Sequence, residues 1–277
     1  MSEHKIEMIV FPNPMQHPAW VPPHSPEWYS NLDHELGEYK YPWKSEFYEP
    51  TAETIFAQKI SSYLTSDSRI LDVGCGHGEF TCQFATQARE VVGIDRREGF
   101  IAKANQIKPA ASVHFMTVDV NNGLPFPDDS FDLVYTKKGP WLFQSDGNRE
   151  GNRVIKPGGI ALLFLHGGTD GGLRELFPGL YTPFTHNLYD MQPLVSTLKL
   201  KENHLNLIEI QMIEETEYLS TPEDVLLKKC FGQNAKLKEF VWRECLPGVE
   251  AIFRKNATAR GLKVTNYYRI VTARVER

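Results

Sequence analysis

The chain has 277 residues, 41% hydrophobic and 23% charged, which is the balance of a globular protein rather than a disordered one. A chain of this length buries roughly three quarters of its unfolded surface, so it needs no disulfide or metal staple, and no apolar run approaches the ~20 residues that span a bilayer. The net charge of −5 is uneven: Ser220 to Arg277 carries twelve Lys/Arg against six Asp/Glu, and the remainder carries 18 against 29.

The first residues, Met1-Ser2-Glu3-His4-Lys5, lack the charged-then-apolar pattern of a leader, so a cytoplasmic location is expected. Residues 1–50 form a distinct segment. Prolines from Pro12 to Pro26 argue against a long helix in its first half. Interleaved aromatics, among them Trp20, Trp28, Tyr41, Trp43, Phe47 and Tyr48, argue against disorder. The expectation is an ordered arm packed on the domain, or a lid over a ligand site. His17, His24 and His34 match no metal-ligand spacing. The four cysteines, Cys75, Cys82, Cys230 and Cys245, form no C-x-x-C pair, so no metal site is expected and free thiols are.

Thr51–Leu64 is predicted as a helix capped by Thr51, with Ile55, Phe56, Ile60 and Leu64 near one face. From residue 69 strands and helices alternate. Strands are predicted at 69–73, 90–94, 112–118, 131–136 and 159–165, with helices at 79–87 and 99–106 between them. Such alternation predicts a parallel sheet with helices on both faces. Gly167–Gly172 reads as a flexible loop. Met191–Lys201 reads as a helix and Leu205–Met212 as a strand. Thr221–Gly261 is mostly helical, starting at Thr221-Pro222-Glu223-Asp224, and Val264–Val275 is a closing strand. The fold class expected is α/β: a Rossmann-like, doubly wound, seven-stranded sheet with an N-terminal lid segment (1–50) and a helical insertion (221–261) before the last strand.

The chemistry concentrates in Ile70-Leu71-Asp72-Val73-Gly74-Cys75-Gly76-His77-Gly78. An apolar strand with one acid runs into glycines at alternating positions and then a helix start, which together make a nucleotide cradle. Glycine is needed where the backbone turns sharply against a ligand. Asp95 ends the next strand about twenty residues beyond the turn, the spacing of an acid that accepts from both ribose hydroxyls. A dinucleotide fingerprint needs glycine at position 79, which is Glu79, and Asp72 would face phosphate charge. Asp72 suits a ligand with a cationic amino group instead.

With Val118-Asp119-Val120 after the third strand, Leu124–Val134 leading into the fourth, and Lys156-Pro157-Gly158-Gly159 leading into the fifth, the chain from about Thr51 to Leu165 resembles the class I S-adenosylmethionine-dependent methyltransferases. The resemblance implies S-adenosylmethionine as cofactor. Its contacts would be Asp72, Gly74, Cys75, Gly76, Gly78, Asp95, Arg96, Asp119, Val120 and Thr136. Within that set Asp72 faces the methionine end and Asp119 accepts from the adenine amino group. Asp128 and Asp129 read as loop acids and Asp132 as structural.

Methyl transfer from a sulfonium needs mainly alignment and exclusion of water, so catalytic residues stay unreadable. The segment Tyr135-Thr136-Lys137-Lys138-Gly139-Pro140-Trp141 is not the Asn/Asp-Pro-Pro-Tyr/Phe motif of nucleobase amino methylation. Lys138 orients an anionic acceptor or is a surface lysine. His166 is a base or a hydrogen-bonded wall residue. Trp43, Phe47, Tyr48 and Trp141 are further substrate candidates. The expected partner is a small molecule methylated on oxygen or nitrogen, with no membrane partner. The alternatives are an RNA or protein acceptor docked through the basic C-terminal segment (Lys228, Lys229, Lys236, Lys238, Arg254, Lys255) and a non-catalytic module that binds S-adenosylmethionine.

Overall fold

Short apolar runs that lack helical periodicity form the central strands, and the computed structural model describes them within residues 9–23, 25–36, 41–140, 150–198 and 204–276. Among these residues the helices are α1 (Pro26–Leu36), α2 (Ala52–Ser61), α3 (Glu79–Cys82), α4 (Glu98–Ile107), α5 (Glu150–Arg153), α6 (Leu173–Leu176), α7 (Gln192–Leu198), α8 (Pro222–Lys229) and α9 (Ala235–Asn256). The strands are β1 (Ser45–Phe47), β2 (Arg69–Val73), β3 (Glu90–Asp95), β4 (Val113–Thr117), β5 (Phe131–Lys137), β6 (Ile155–Gly171), β7 (Leu205–Leu219) and β8 (Leu262–Val275). They form one sheet in the order β1-β7-β8-β6-β5-β2-β3-β4.

The sheet has eight strands where seven are expected. The addition is β1, three residues pairing antiparallel with the end of β7, Ser45 opposite Leu219 and Phe47 opposite Glu217. Three residues are too few to carry a readable alternation. The chain divides into two compact units. One holds Pro50–Gly167, Leu188–Ile213 and Tyr267–Arg277; the other holds Met1–Glu49, Gly168–Asn187 and Glu214–Asn266.

In the unit built around residues 50–167, β2 pairs in parallel with β3 on one side and β5 on the other, β3 with β4, and β5 with β6. The chain order therefore reverses direction at β2 and β5, the switch point where open α/β sheets bind ligands outside the strands' carboxyl ends. One sheet face packs Leu71, Val73, Val92, Ile94 and Phe131; the other packs Phe56, Ile60, Phe80, Phe84, Tyr135 and Phe164. Thr51 caps α2, its hydroxyl accepting from Thr54 N at 3.1 Å. Asp132 is structural as expected, accepting from Arg69 N at 2.8 Å and Lys156 Nζ at 2.6 Å.

Two elements depart from expectation here. The helix predicted over 79–87 is regular only to Cys82; beyond it Gln83, Phe84, Ala85 and Gln87 donate to carbonyls three residues back, which keeps the apolar spacing without α-helix. The run Gly167–Gly172 is not a free loop, because β6 extends to Gly171. A Cβ on Gly167 would lie 3.2 Å from the Tyr267 carbonyl oxygen, so glycine serves close strand packing. The helix expected at 191–201 is described over Gln192–Leu198; Met191 precedes it, and 199–201 lie outside the described residues.

In the other unit, Phe11, Val21, Trp28 and Leu32 are buried in core clusters, with Phe11 packed among the later segments. Val21 exchanges both backbone bonds with Gln233, donating to Oε1 at 2.9 Å and accepting from Nε2 at 2.7 Å. Buried Trp28 donates to the Phe231 carbonyl at 2.8 Å, and Phe11 packs edge-on against Phe177. A capping box between Thr221 and Asp224 starts α8, and Asn234 caps α9, whose buried face is Leu237, Val241, Cys245 and Val249.

Candidate cofactor-binding site

Strand β2 delivers Asp72 to the mouth of the turn, and the backbone then reverses through three glycines with positive φ: Gly74 at 82°, Gly76 at 57° and Gly78 at 87°. Gly74 N and Cys75 N both donate to the Ile94 carbonyl, at 2.8 and 3.0 Å, which ties the turn to the end of β3. A Cβ on Gly76 would meet nothing within 4 Å, so the turn leaves open space there. A Cβ on Gly78 would sit 2.6 Å from Phe115, and one on Gly74 would sit 2.7 Å from Pro140.

Asp95 closes the turn from β3. Its Oδ2 accepts from Gly76 N at 3.2 Å and its Oδ1 from Arg97 N at 2.9 Å. Each carboxylate oxygen takes one amide and keeps lone-pair capacity for another donor. Val118 N donates to the Asp95 carbonyl at 2.9 Å, which sets the β4 end beside that of β3. Asp119 there caps a short turn through Asn121 N at 3.0 Å, and Val120 is half-buried against the core.

Asp72 is buried. Its Oδ2 accepts from the Thr81 hydroxyl at 2.6 Å, while Oδ1 has no hydrogen-bond partner. Burial pushes its carboxyl up to about 6, against the opposing pull of the Thr81 and Tyr135 hydroxyls and of Lys137. The shift has a definite sign for stability. The folded state binds the proton more tightly than the unfolded chain, so folding loses free energy as pH rises from about 4 to about 6. Above that window an ionised Asp72 costs on the order of 3 kcal/mol.

The carboxyl ends of β2, β3, β4 and β5 therefore bring together Asp72, Gly74, Cys75, Gly76, Gly78, Asp95, Asp119, Val120 and Thr136. Thr136 is fully buried with its hydroxyl unpartnered behind Gly139, and Arg96 lies exposed at the end of β3. An open cradle at Gly76, an orphaned carboxylate oxygen and a second carboxylate with spare acceptors fit a ligand carrying an ammonium and a ribose. Among the described residues, no group of three His, Cys, Asp or Glu is placed to hold a metal ion.

Of the acceptor-side candidates, Lys138 and His166 meet at one ring: Lys138 Nζ is 4.6 Å from the Tyr268 centroid and His166 is 5.5 Å from it. Trp43, Phe47 and Tyr48 belong to the other unit. There the Trp43 indole donates to Glu217 Oε1 at 2.9 Å and stacks on Tyr41, while Phe47 and Tyr48 are exposed. Trp141 lies outside the described residues. Sequence reasoning missed Thr81 and Tyr135, the hydroxyls beside Asp72. An open cavity of about 350 Å3, lined by Arg69, Glu90, Lys108, His114 and neighbours, contains none of the candidate residues.

Residues 71–163 match the family described as methyltransferase domain. The biotin biosynthesis bifunctional protein BioHC of Cellvibrio japonicus is 36% identical over 103 residues, covering 35% of this chain and 19% of that protein. YcgJ of Bacillus subtilis, named an uncharacterized methyltransferase, is 32% identical over 106 residues, 36% of this chain and 42% of that one. The matches thus span less than half the length of both curated relatives. The crystal structure of YcgJ superposes with a TM-score of 0.52 at 17% identity, covering 81% of this chain and 99% of that one. A crystal structure of a functionally unknown protein from Deinococcus radiodurans R1 gives 0.60 at 21% identity, covering 90% and 99%. At these identities the two structures show the shared fold.

Proposed function

We propose that the chain is a class I S-adenosylmethionine-dependent methyltransferase, a reading supported by the match of residues 71–163 to a methyltransferase domain, and that it transfers the methyl group of S-adenosylmethionine to an oxygen or nitrogen of a small molecule. The observation that carries this reading is the open glycine turn flanked by Asp72 and Asp95 at the sheet's switch point. When bound, the cofactor supplies a methyl group on a sulfonium, whose departure as a thioether needs no acid catalyst.

The chain's own residues bind and orient. Asp95 receives ribose hydroxyls on oxygens already aimed by Gly76 N and Arg97 N. Asp72 receives a cation, and Asp119 receives an amino group. Just past the end of β5, Lys138 holds an anionic group of the acceptor. His166, beside the same tyrosine, takes the proton when the acceptor must lose one early. Alignment in a water-poor site supplies most of the acceleration.

Two observations favour a small acceptor over RNA or protein. The chain outside 220–277 is acidic. Within the basic segment, Lys228 is spent on Glu217 and Asp170, and Lys229 is half-buried against the rings of Trp20 and Tyr181. The exposed positive charge is therefore smaller than the composition suggests.

Incubation of the chain and labelled S-adenosylmethionine with a fractionated extract of the source cell tests the reading. Label in the low-mass fraction is expected. Label in nuclease- or protease-sensitive material would transfer the proposal to a macromolecular acceptor. Cofactor binding with no label in any fraction would leave a binding module.

A further inference from the structure

Beside the glycine turn, two buried polar groups lie without hydrogen-bond partners: Asp72 Oδ1 and the Tyr135 hydroxyl. They are neighbours because Asp72 and Tyr135 are register partners on the adjacent parallel strands β2 and β5. The phenol stands close enough to draw the carboxyl toward its ionised form, yet falls short of hydrogen-bond geometry. Its ring is held edge-on by Phe56, Phe80 and Phe84, with centroids 6.0, 5.9 and 5.7 Å away. The hydroxyl is therefore a fixed group in a packed wall. Thr81 meanwhile occupies Asp72 Oδ2 at 2.6 Å. Buried groups left unpaired are rare and call for a missing partner.

We propose that Tyr135 is a positioning residue for the cofactor's ammonium group: with Thr81 it fixes the Asp72 carboxyl so that Oδ1 is presented, ionised, to the incoming cation. The inference rests on the methyltransferase reading and assigns to that site a residue the reading does not use.

The groups facing Asp72 set its response to pH. Thr81 from α3 and Tyr135 from β5 favour the carboxylate. Lys137 from β5 does so too, although it is also paired with Glu53 of α2 at 2.8 Å. Asp95 from β3 opposes it, and burial outweighs all of these. A cation binds the carboxylate and not the acid, so affinity falls as pH drops through the titration of Asp72. Removing the phenolic hydroxyl moves that fall to higher pH.

The test is calorimetric titration of the full chain with S-adenosylhomocysteine and with 5′-methylthioadenosine, which lacks the ammonium, between pH 5 and 7.5. In Tyr135→Phe the fall in S-adenosylhomocysteine affinity is expected about half a unit to one unit higher than in the wild type. At pH 5 this is a loss of about threefold or more, with 5′-methylthioadenosine unaffected. Thr81→Val shifts the same way and Thr81→Ser restores the wild-type profile. A second measurement needs no variant: in chain labelled with carbon-13 tyrosine, the Tyr135 Cζ resonance moves on adding S-adenosylhomocysteine and not on adding 5′-methylthioadenosine. Superposable pH profiles, or a Tyr135 signal that responds equally to both ligands, would overturn the positioning role while leaving the cofactor in place. Failure of the wild type to bind either ligand would bring down the methyltransferase reading itself.

Discussion

Gly76 and Gly78 share a left-handed backbone but do different work. At Gly76 an added Cβ meets nothing within 4 Å, while at Gly78 it would meet Phe115 at 2.6 Å and Ala104 at 2.9 Å. Gly76→Ala therefore costs only the backbone strain, about 1–2 kcal/mol, and leaves the fold intact. Its methyl group projects into the cradle, so cofactor affinity is expected to fall about tenfold or more, on the order of 1.4 kcal/mol or above. Gly78→Ala adds about 1–3 kcal/mol of overpacking to the same strain, and its main effect is a lower melting temperature. Thermal melts and cofactor titrations of the two variants separate the roles; equal effects on both readouts would contradict them. The turn and Asp95 were legible in the sequence because backbone reversal against a ligand demands glycine, and because the acid's spacing is local. Thr81 and Tyr135 were not, since a hydroxyl in an apolar run carries no signal until β2 and β5, about sixty residues apart, are placed in register.

Elements of the unit that contains α8 and α9 meet at a buried ion pair. Glu217 on β7 accepts from Lys228 of α8 at 2.9 Å, from Asn266 of β8 at 2.8 Å and from the Trp43 indole at 2.9 Å. Burial alone would raise the Glu217 carboxyl; the Lys228 ammonium and these hydrogen bonds override it and hold the carboxyl below its usual range. Lys228→Ala leaves a buried carboxylate uncompensated and is expected to cost about 3–5 kcal/mol. The sign with pH follows from the lowered value: the pair's contribution is complete above the ordinary carboxylate range and fades as pH falls through Glu217's depressed titration. Denaturant melts between pH 3 and 7 should show the variant's deficit shrinking toward the acid end; a deficit independent of pH would contradict the ion pair as its cause. The helix start at Thr221 was readable because capping is local. The extension of β6 through Gly171 was not, because glycines that admit a neighbouring strand look like glycines that free a loop.

Across the whole molecule, the alternation from residue 69 to residue 165 marked out the parallel sheet. The composition of the second unit from three separated segments was not visible in advance. Its contacts join residues far apart in the chain, as Val21 and Gln233 are, 212 positions from one another. Periodicity reports which face of an element is buried and not what buries it. The same limit applies to chemistry: the proposed cofactor contacts concentrate in one turn and two acids, whereas the proposed acceptor contacts are dispersed over single residues such as Lys138 and His166. The decisive measurement is calorimetric titration of the full chain and of Asp95→Ala with S-adenosylmethionine, with NADH as the competing ligand. The wild type should bind S-adenosylmethionine and not NADH, and the variant should bind at least about tenfold more weakly, the loss of one or two charge-assisted hydrogen bonds. Binding of NADH in place of S-adenosylmethionine, or an affinity for S-adenosylmethionine untouched by Asp95→Ala, would contradict the assignment of this site.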